Sequence, residues 1–177
     1  VEYRCIIAGF GGQGIVSMGT LLAYAGMITN RQTTFFPAYG IAMRGGRANC
    51  TVIVSDGQVA SPVVTEPTVM VAMNDIALDF FQSWVAPGGW LFVNASLTDK
   101  QVERKDVVPV YVQATKLAIE GGDSRMANMA MLGAVMKVTG MLPLEPLGQA
   151  MAKTFPAKIQ HLIEKNRRVL EMGHASV

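Results

Sequence analysis

At 177 residues the chain is long enough for one domain with a sizeable core, and half of it is hydrophobic against 16% charged. A formal charge of +2 is too small for a nucleic-acid binder, and no stretch approaches the roughly 20 apolar residues of a membrane-spanning helix. The sequence enters an apolar strand at once with no leader-like segment, so the cytoplasm is the expected compartment, and its two cysteines, Cys5 and Cys50, read as buried free thiols. Without a Cys-x-x-Cys spacing they cannot ligate an iron–sulfur cluster in the usual way.

In chain order, Tyr3 to Ala8 predicts a fully buried strand. It runs into Gly9-Phe10-Gly11-Gly12-Gln13-Gly14, and a helix from Ile15 to Ile28 leads out, with Val16, Leu21, Leu22, Ala25 and Ile28 facing the sheet. Strand, glycine turn and helix form a phosphate-binding unit: glycine permits the tight turn and close approach, and the helix start offers unpaired N–H groups to an anion. The bland alternative is a tight turn that binds nothing.

Thr33 to Phe36 predicts a short strand stopped by Pro37, followed by a loop from Ala38 to Gly46. Asn49 to Ser55 is a strand, and Asp56-Gly57 predicts a hairpin with Gln58 to Ser61 returning antiparallel. Val69 to Met73 is a buried strand ending at Asn74. Asp75 then caps a helix to about Trp84, with Ile76, Phe80 and Trp84 inward. After the Pro87-Gly88-Gly89 turn come a strand from Trp90 to Val93, Asn94, and an exposed loop from Ser96 to Asp106. Val107 to Val112 is the last strand, placed near an edge by Pro109. The remainder is helical: Thr115 to Ile119, Asp123 or Ser124 to Val138 with Gly140 ending it, Leu144 to Thr154, and Ala157 to Met172 with Ile159, Leu162, Ile163 and Leu170 on one side. The expected fold is α/β: a three-layer Rossmann-like domain over residues 1–177, with a mixed, mostly parallel sheet containing a β-hairpin and a helical C-terminal part.

A dinucleotide fold places an acidic residue about 20 residues past the glycines for the ribose hydroxyls. Here no Asp or Glu occurs between Tyr3 and Ser55, while Arg4, Arg31, Arg44 and Arg47 do. That balance disfavours NAD and leaves NADP or coenzyme A. Arg44-Gly45-Gly46 suits forked binding of phosphate or carboxylate, and Asn74 and Asn94 end strands where α/β ligands bind. As helix caps or turn formers the two asparagines need no ligand. Catalytic groups are scarce: His161 and His174 lie in the helical tail, and His161 reads as a surface residue. No metal spacing, serine elbow or paired carboxylates accompany the turn. Met126, Met129, Met131 and Met136 make one helix apolar on several sides, predicting a buried neighbour, a second chain included. These features suggest a binding or docking subunit.

The series Gly9-Phe10-Gly11-Gly12-Gln13-Gly14-Ile15, Tyr39-Gly40, Met43-Arg44-Gly45-Gly46, Asn49-Cys50-Thr51, Val54-Ser55-Asp56, Ser61-Pro62-Val63-Val64, Val71-Ala72-Met73-Asn74, and Asn128-Met129 with Leu132-Gly133 resembles, in that order, the gamma subunit or gamma domain of the 2-oxoacid:ferredoxin oxidoreductases. It covers residues 3 to 138 and departs at Ile41-Ala42, where the family often has Pro-Glu. The resemblance implies a multi-subunit enzyme that oxidatively decarboxylates a 2-oxoacid, joins the acyl group to coenzyme A and reduces ferredoxin. Thiamine diphosphate, Mg²⁺ and the iron–sulfur clusters would sit on partner chains, one thiamine-binding and one ferredoxin-like. This chain would be structural and coenzyme A-binding, without catalytic or metal-ligating residues, and a homodimer is a further expected assembly. Carried onto this sequence, coenzyme contacts fall on Gly9, Gly11, Gly12, Gln13, Gly14, Arg44, Gly45 and Asn74. The Asn49-Cys50 and Ser61-Pro62-Val63-Val64 stretches lean toward a 2-oxoglutarate or branched-chain substrate over pyruvate. The alternatives are a self-sufficient NADP-dependent Rossmann-type oxidoreductase and a regulatory nucleotide-binding module.

Overall fold

The computed structural model describes residues 1–38 and 47–177. Its sheet has six strands: β1 (Glu2–Phe10), β2 (Gln32–Ala38), β3 (Arg47–Ser55), β4 (Val69–Ala72), β5 (Trp90–Asn94) and β6 (Val108–Val112), in the order β2-β3-β1-β4-β5-β6. β1, β4, β5 and β6 run parallel, whereas β3 is antiparallel to both β1 and β2. The sheet is therefore mixed and mostly parallel, as the sequence leads one to expect.

Alternation along the strands divides the core in two. Cys5, Ile7, Val52, Val54, Val71 and Phe92 face one side. There they meet α1 (Ile15–Ile28), α3 (Ala114–Glu120), α4 (Ala127–Thr139), α5 (Leu144–Thr154) and, outside these, α6 (Ile163–Ala175). Ile6, Ala8, Ile53, Met70, Leu91 and Val93 face the other side, covered by α2 (Asp75–Phe81) and by Val64, Val85 and Val107. Both faces are covered, so the inner strands read as continuous apolar runs.

The antiparallel hairpin is real but lies elsewhere than Asp56-Gly57. It joins β2 to β3 across residues 39–46, and Gln58 to Ser61 forms no strand. The reason is that β3 has no free edge: β1 occupies one side and β2 the other. Asp56 instead donates its N–H to the Val1 carbonyl at 3.0 Å and takes the Arg31 guanidinium at 3.2 Å. Pro37 does not stop β2, which continues through it to Ala38 opposite Asn49. An edge strand tolerates the missing N–H, and β6 with Pro109 is the opposite edge.

Three helices also differ from expectation. On α2 the inward residues are Ala77, Leu78 and Phe81, while Ile76, Phe80 and Trp84 are exposed. The helix is apolar on two sides, so periodicity alone could not choose the face. It ends at Phe81 and passes into a 3₁₀ turn over Gln82–Trp84. The buried neighbour of the methionine-rich α4 is α6 of the same chain. The two backbones approach so closely that a methyl on Gly133 would lie 1.9 Å from the Leu170 carbonyl oxygen, and one on Gly173 1.8 Å from that of Ala130. A 3₁₀ turn (Ser124–Met126), begun by the Asp123 carboxylate on the Arg125 N–H, precedes α4, and Gly140 ends it at φ 62°. Similarly, the expected 157–172 helix divides into a 3₁₀ turn over Ala157–Leu162 and α6, whose buried face is Asn166, Val169, Leu170 and Gly173.

Candidate functional site

After β1 the chain crosses by α1 over one face of the sheet; after β4 it crosses by α2 over the other. The carboxyl ends of the neighbouring strands β1 and β4 thus frame the switch point where ligands of open α/β sheets bind. The glycine turn sits on this point. Gly9 is buried, Gly11 and Gly12 are exposed, and Gly12 (φ 89°) and Gly14 (φ 72°) are left-handed, as a side chain would resist. The turn closes with the Gln13 N–H on the Phe10 carbonyl at 3.2 Å. Gly14 starts α1 with no side-chain cap and no acidic residue in the first turn. The helix therefore presents bare N–H groups and the positive end of its dipole beside the Gly11 and Gly12 main chain.

Gln13 points the other way, into the crevice. Its Oε1 accepts the Phe10 N–H at 2.7 Å and the Asn74 Nδ2 at 3.1 Å, and its Nε2 donates to the Met73 carbonyl at 3.3 Å. The opposite oxygen of Asn74, Oδ1, accepts the Ala77 N–H at 2.9 Å, so Asn74 rather than Asp75 caps α2. One strand along, the fully buried Asn94 donates Nδ2 to the Met73 carbonyl at 3.4 Å and to Thr115 Oγ1 at 3.1 Å, and accepts the Ser96 N–H at 3.3 Å. Sequence reasoning placed Asn74 and Asn94 at strand ends correctly. The structure makes both of them ties between strand end and following helix.

Sequence reasoning gave no part in the turn to Asn128. Its Nδ2 donates to the Gly14 carbonyl at 3.3 Å, fastening the turn to α4, and a methyl on Gly14 would lie 2.3 Å from that nitrogen. The signal available was its place in the motif series, as Asn128-Met129, which carried no role for the side chain. Beside it, a cavity of about 490 Å³ lies between α1, the start of α4 and the 155–162 segment, lined by Gly14, Ser17, Met126, Met129, Phe155 and Asn166 among others.

Arg44 and Gly45, and with them Tyr39 and Met43, lie outside the described residues. The flanking strands place residue 47 opposite Phe10 and residue 38 opposite Asn49, at the same end of the sheet as the turn. The two cysteines are buried on β1 and β3, and burial pushes both thiols up, that of Cys50 to about 12. Both are therefore protonated and unreactive near neutrality. His161 is exposed and distant in sequence from the turn, in agreement with the surface reading. Among the described residues no helix is long and apolar enough to cross a membrane, and no group of His, Cys, Asp or Glu has the makings of a metal site.

The architecture is that of an α/β domain with an outward-facing glycine turn and, among the described residues, no proton-transfer side chains gathered at it. The chain belongs to the pyruvate ferredoxin/flavodoxin oxidoreductase family, which matches residues 4–176. It is 40% identical over 174 residues to a ketoisovalerate oxidoreductase subunit, VorA, of Methanothermobacter marburgensis, with 97% of this chain and 36% of that protein covered. The chain thus spans little more than a third of that relative. It is also 30% identical over 172 residues to the 2-oxoglutarate synthase subunit KorC of Methanocaldococcus jannaschii, covering 95% of this chain and 90% of that one. Among solved structures, the gamma subunit of a keto/oxoacid ferredoxin oxidoreductase from Geobacter sulfurreducens superposes with a TM-score of 0.87 at 28% identity, over 99% of this chain and 96% of that one.

Proposed function

We propose that this chain is the gamma subunit, or gamma domain, of a multi-subunit 2-oxoacid:ferredoxin oxidoreductase of the cytoplasm. In that complex it binds the phosphates of coenzyme A and is not catalytic alone. The observation that carries the coenzyme role is the bare start of α1 beside the exposed Gly11 and Gly12, in a stretch of sequence without acidic residues from Tyr3 to Ser55. An anion there gains main-chain N–H donors and the helix dipole and meets no acidic side chain from this stretch, while Asp123 across the neighbouring cavity is paired with Arg125. Arg44 and Gly45 extend the proposed contact from the neighbouring loop. Thiamine diphosphate with Mg²⁺ and the iron–sulfur clusters belong to partner chains, a thiamine-binding one and a ferredoxin-like one. They supply decarboxylation and electron transfer to ferredoxin. The kinship to ketoisovalerate and 2-oxoglutarate subunits favours a branched-chain 2-oxoacid or 2-oxoglutarate as substrate.

The test uses the assembled complex. A carboxylate introduced by Ser17→Asp, exposed in the first turn of α1, brings a negative charge to the proposed phosphate position without straining the glycine turn. The KM for coenzyme A is expected to rise about tenfold, equivalent to about 1.4 kcal/mol. The KM for the 2-oxoacid and kcat at saturating coenzyme A stay within about twofold. An unchanged KM for coenzyme A removes the turn from the site. A chain that never purifies with thiamine- or cluster-bearing partners overturns the subunit assignment.

A further inference from the structure

We infer that Gln13 determines on which side of the glycine turn a phosphate can be received, because its own carboxamide oxygen occupies the anion position of the β1/β4 crevice. In a dinucleotide-binding fold that crevice takes the ligand's pyrophosphate, held by main-chain N–H groups of the turn. Here Gln13 Oε1 accepts one such N–H, that of Phe10 at 2.7 Å, and the Asn74 Nδ2 at 3.1 Å. The amide end of the same side chain donates to the Met73 carbonyl at 3.3 Å, which an anion could not do. A methyl on Gly9 would fall 2.5 Å from Gln13 Oε1 and 2.9 Å from Met73 Cβ, so the crevice floor is in contact with its plug. Three hydrogen bonds, one of them to the residue that caps α2, fix the carboxamide in place.

The consequence is a division of the turn into two sides. The inner side, where a dinucleotide would lie, is satisfied by the chain itself. The outer side keeps the exposed Gly11 and Gly12 and the bare start of α1. Gln13 thereby excludes dinucleotides such as NADP and leaves the turn to a phosphate that arrives from outside. The inference rests on the proposed function only for what binds outside; the closure of the crevice stands on the geometry alone.

The experiment follows the assigned amide resonances of the full chain while inorganic pyrophosphate is added. In the unsubstituted chain the Phe10, Met73 and Asn74 resonances are expected not to move, whereas those of Gly11 and Gly12 do. Gln13→Ala empties the crevice and frees two donors, the Phe10 N–H and Asn74 Nδ2, so Phe10, Met73 and Asn74 then shift saturably. Gln13→Glu keeps the size of the side chain and both acceptor bonds but loses the donation to the Met73 carbonyl, against which it sets a carboxylate oxygen. Its charge is expected to keep pyrophosphate out of the crevice and to weaken the response at Gly11 and Gly12 at least threefold. A spectrum of native dispersion for each variant establishes folding. Saturable shifts at Met73 and Asn74 in the unsubstituted chain would overturn the inference, as would their absence in Gln13→Ala. Silence at Gly11 and Gly12 in the unsubstituted chain, with Met73 and Asn74 responding in Gln13→Ala, supports the plug and counts against the proposed function alone.

Discussion

Replacing Gly133 by alanine separates two effects of opposite sign. In the interior of α4 alanine is the better helix former by about 0.8–1.0 kcal/mol, so propensity alone predicts stabilisation. The added methyl, however, would sit 1.9 Å from the Leu170 carbonyl oxygen and 2.8 Å from the His174 nitrogen, both main-chain atoms of α6. Ordinary contact begins at 3.4 Å, so α6 must withdraw by about 1.5 Å, the difference between 3.4 and 1.9 Å. A rotamer change cannot relieve a clash with backbone. The withdrawal opens the packing of Val169 and Leu170, both buried in the main core. Overpacking of this kind costs about 1–3 kcal/mol, and separating a helix pair over several residues belongs at the upper end. Subtracting the propensity gain leaves a net loss of about 2 kcal/mol. At about 2–4 °C per kcal/mol for a domain of this size, the midpoint of thermal unfolding should fall by about 4–8 °C. Circular dichroism at 222 nm measures it. A midpoint unchanged or raised would show that the α4–α6 crossing is loose and that propensity governs the position.

Three further outcomes follow from the structure. Asn94→Ala takes one of two donors from the Met73 carbonyl, which keeps Gln13 Nε2, and removes the partner of the Thr115 hydroxyl and of the Ser96 N–H; it should lower stability by about 1–3 kcal/mol in urea unfolding, and a loss below about 0.5 kcal/mol would mean that water replaces the side chain. The Arg125 guanidinium and main-chain N–H hold the Asp123 carboxyl down at about 2 from its ordinary 3.8. A depressed carboxylate stabilises above its unfolded value and loses that contribution as pH falls through the folded one, so the stability gap between the unsubstituted chain and Asp123→Asn should be constant above pH 5 and close between pH 4 and 2. Iodoacetamide at pH 8 should leave Cys5 and Cys50 unmodified in the folded chain and label both in denaturant, by intact mass; labelling of the native chain would contradict their burial.

The strands were legible because burial writes itself into sequence. Val69–Ala72 and Trp90–Asn94 are apolar runs of strand length between turn signals, and the sheet needs them so. The glycine turn was legible for the same reason, since only glycine accepts φ near 89° and 72° at Gly12 and Gly14 without strain. What the sequence could not show was competition. Asp56-Gly57 is a sound local hairpin signal, but whether a returning strand finds a free edge depends on β1 and β2, which pair with Ser55 of β3 from 53 and 23 residues away at Glu2 and Gln32. Ile76, Phe80 and Trp84 carry as good a helical repeat as Ala77, Leu78 and Phe81, and the sheet chose the smaller set. At the site, the residue type of Gln13 gave no hint of direction. Its inward turn depends on Met73 and Asn74, about 60 residues downstream, presenting a carbonyl and an amide at the right height.

The prolines of the two outermost strands carry a consequence for handling so apolar a protein. A sheet grows by offering its rim to another chain, and each rim here is missing a donor, at Pro37 on one side and Pro109 on the other. A stray β-segment that tried to zip along either margin would find the ladder short of a donor one residue from an end of the strand. Crowded copies released from a ribosome or a concentrator should therefore resist stacking into fibrils, and replacing both prolines by valine would make that resistance measurable as faster thioflavin-positive aggregation.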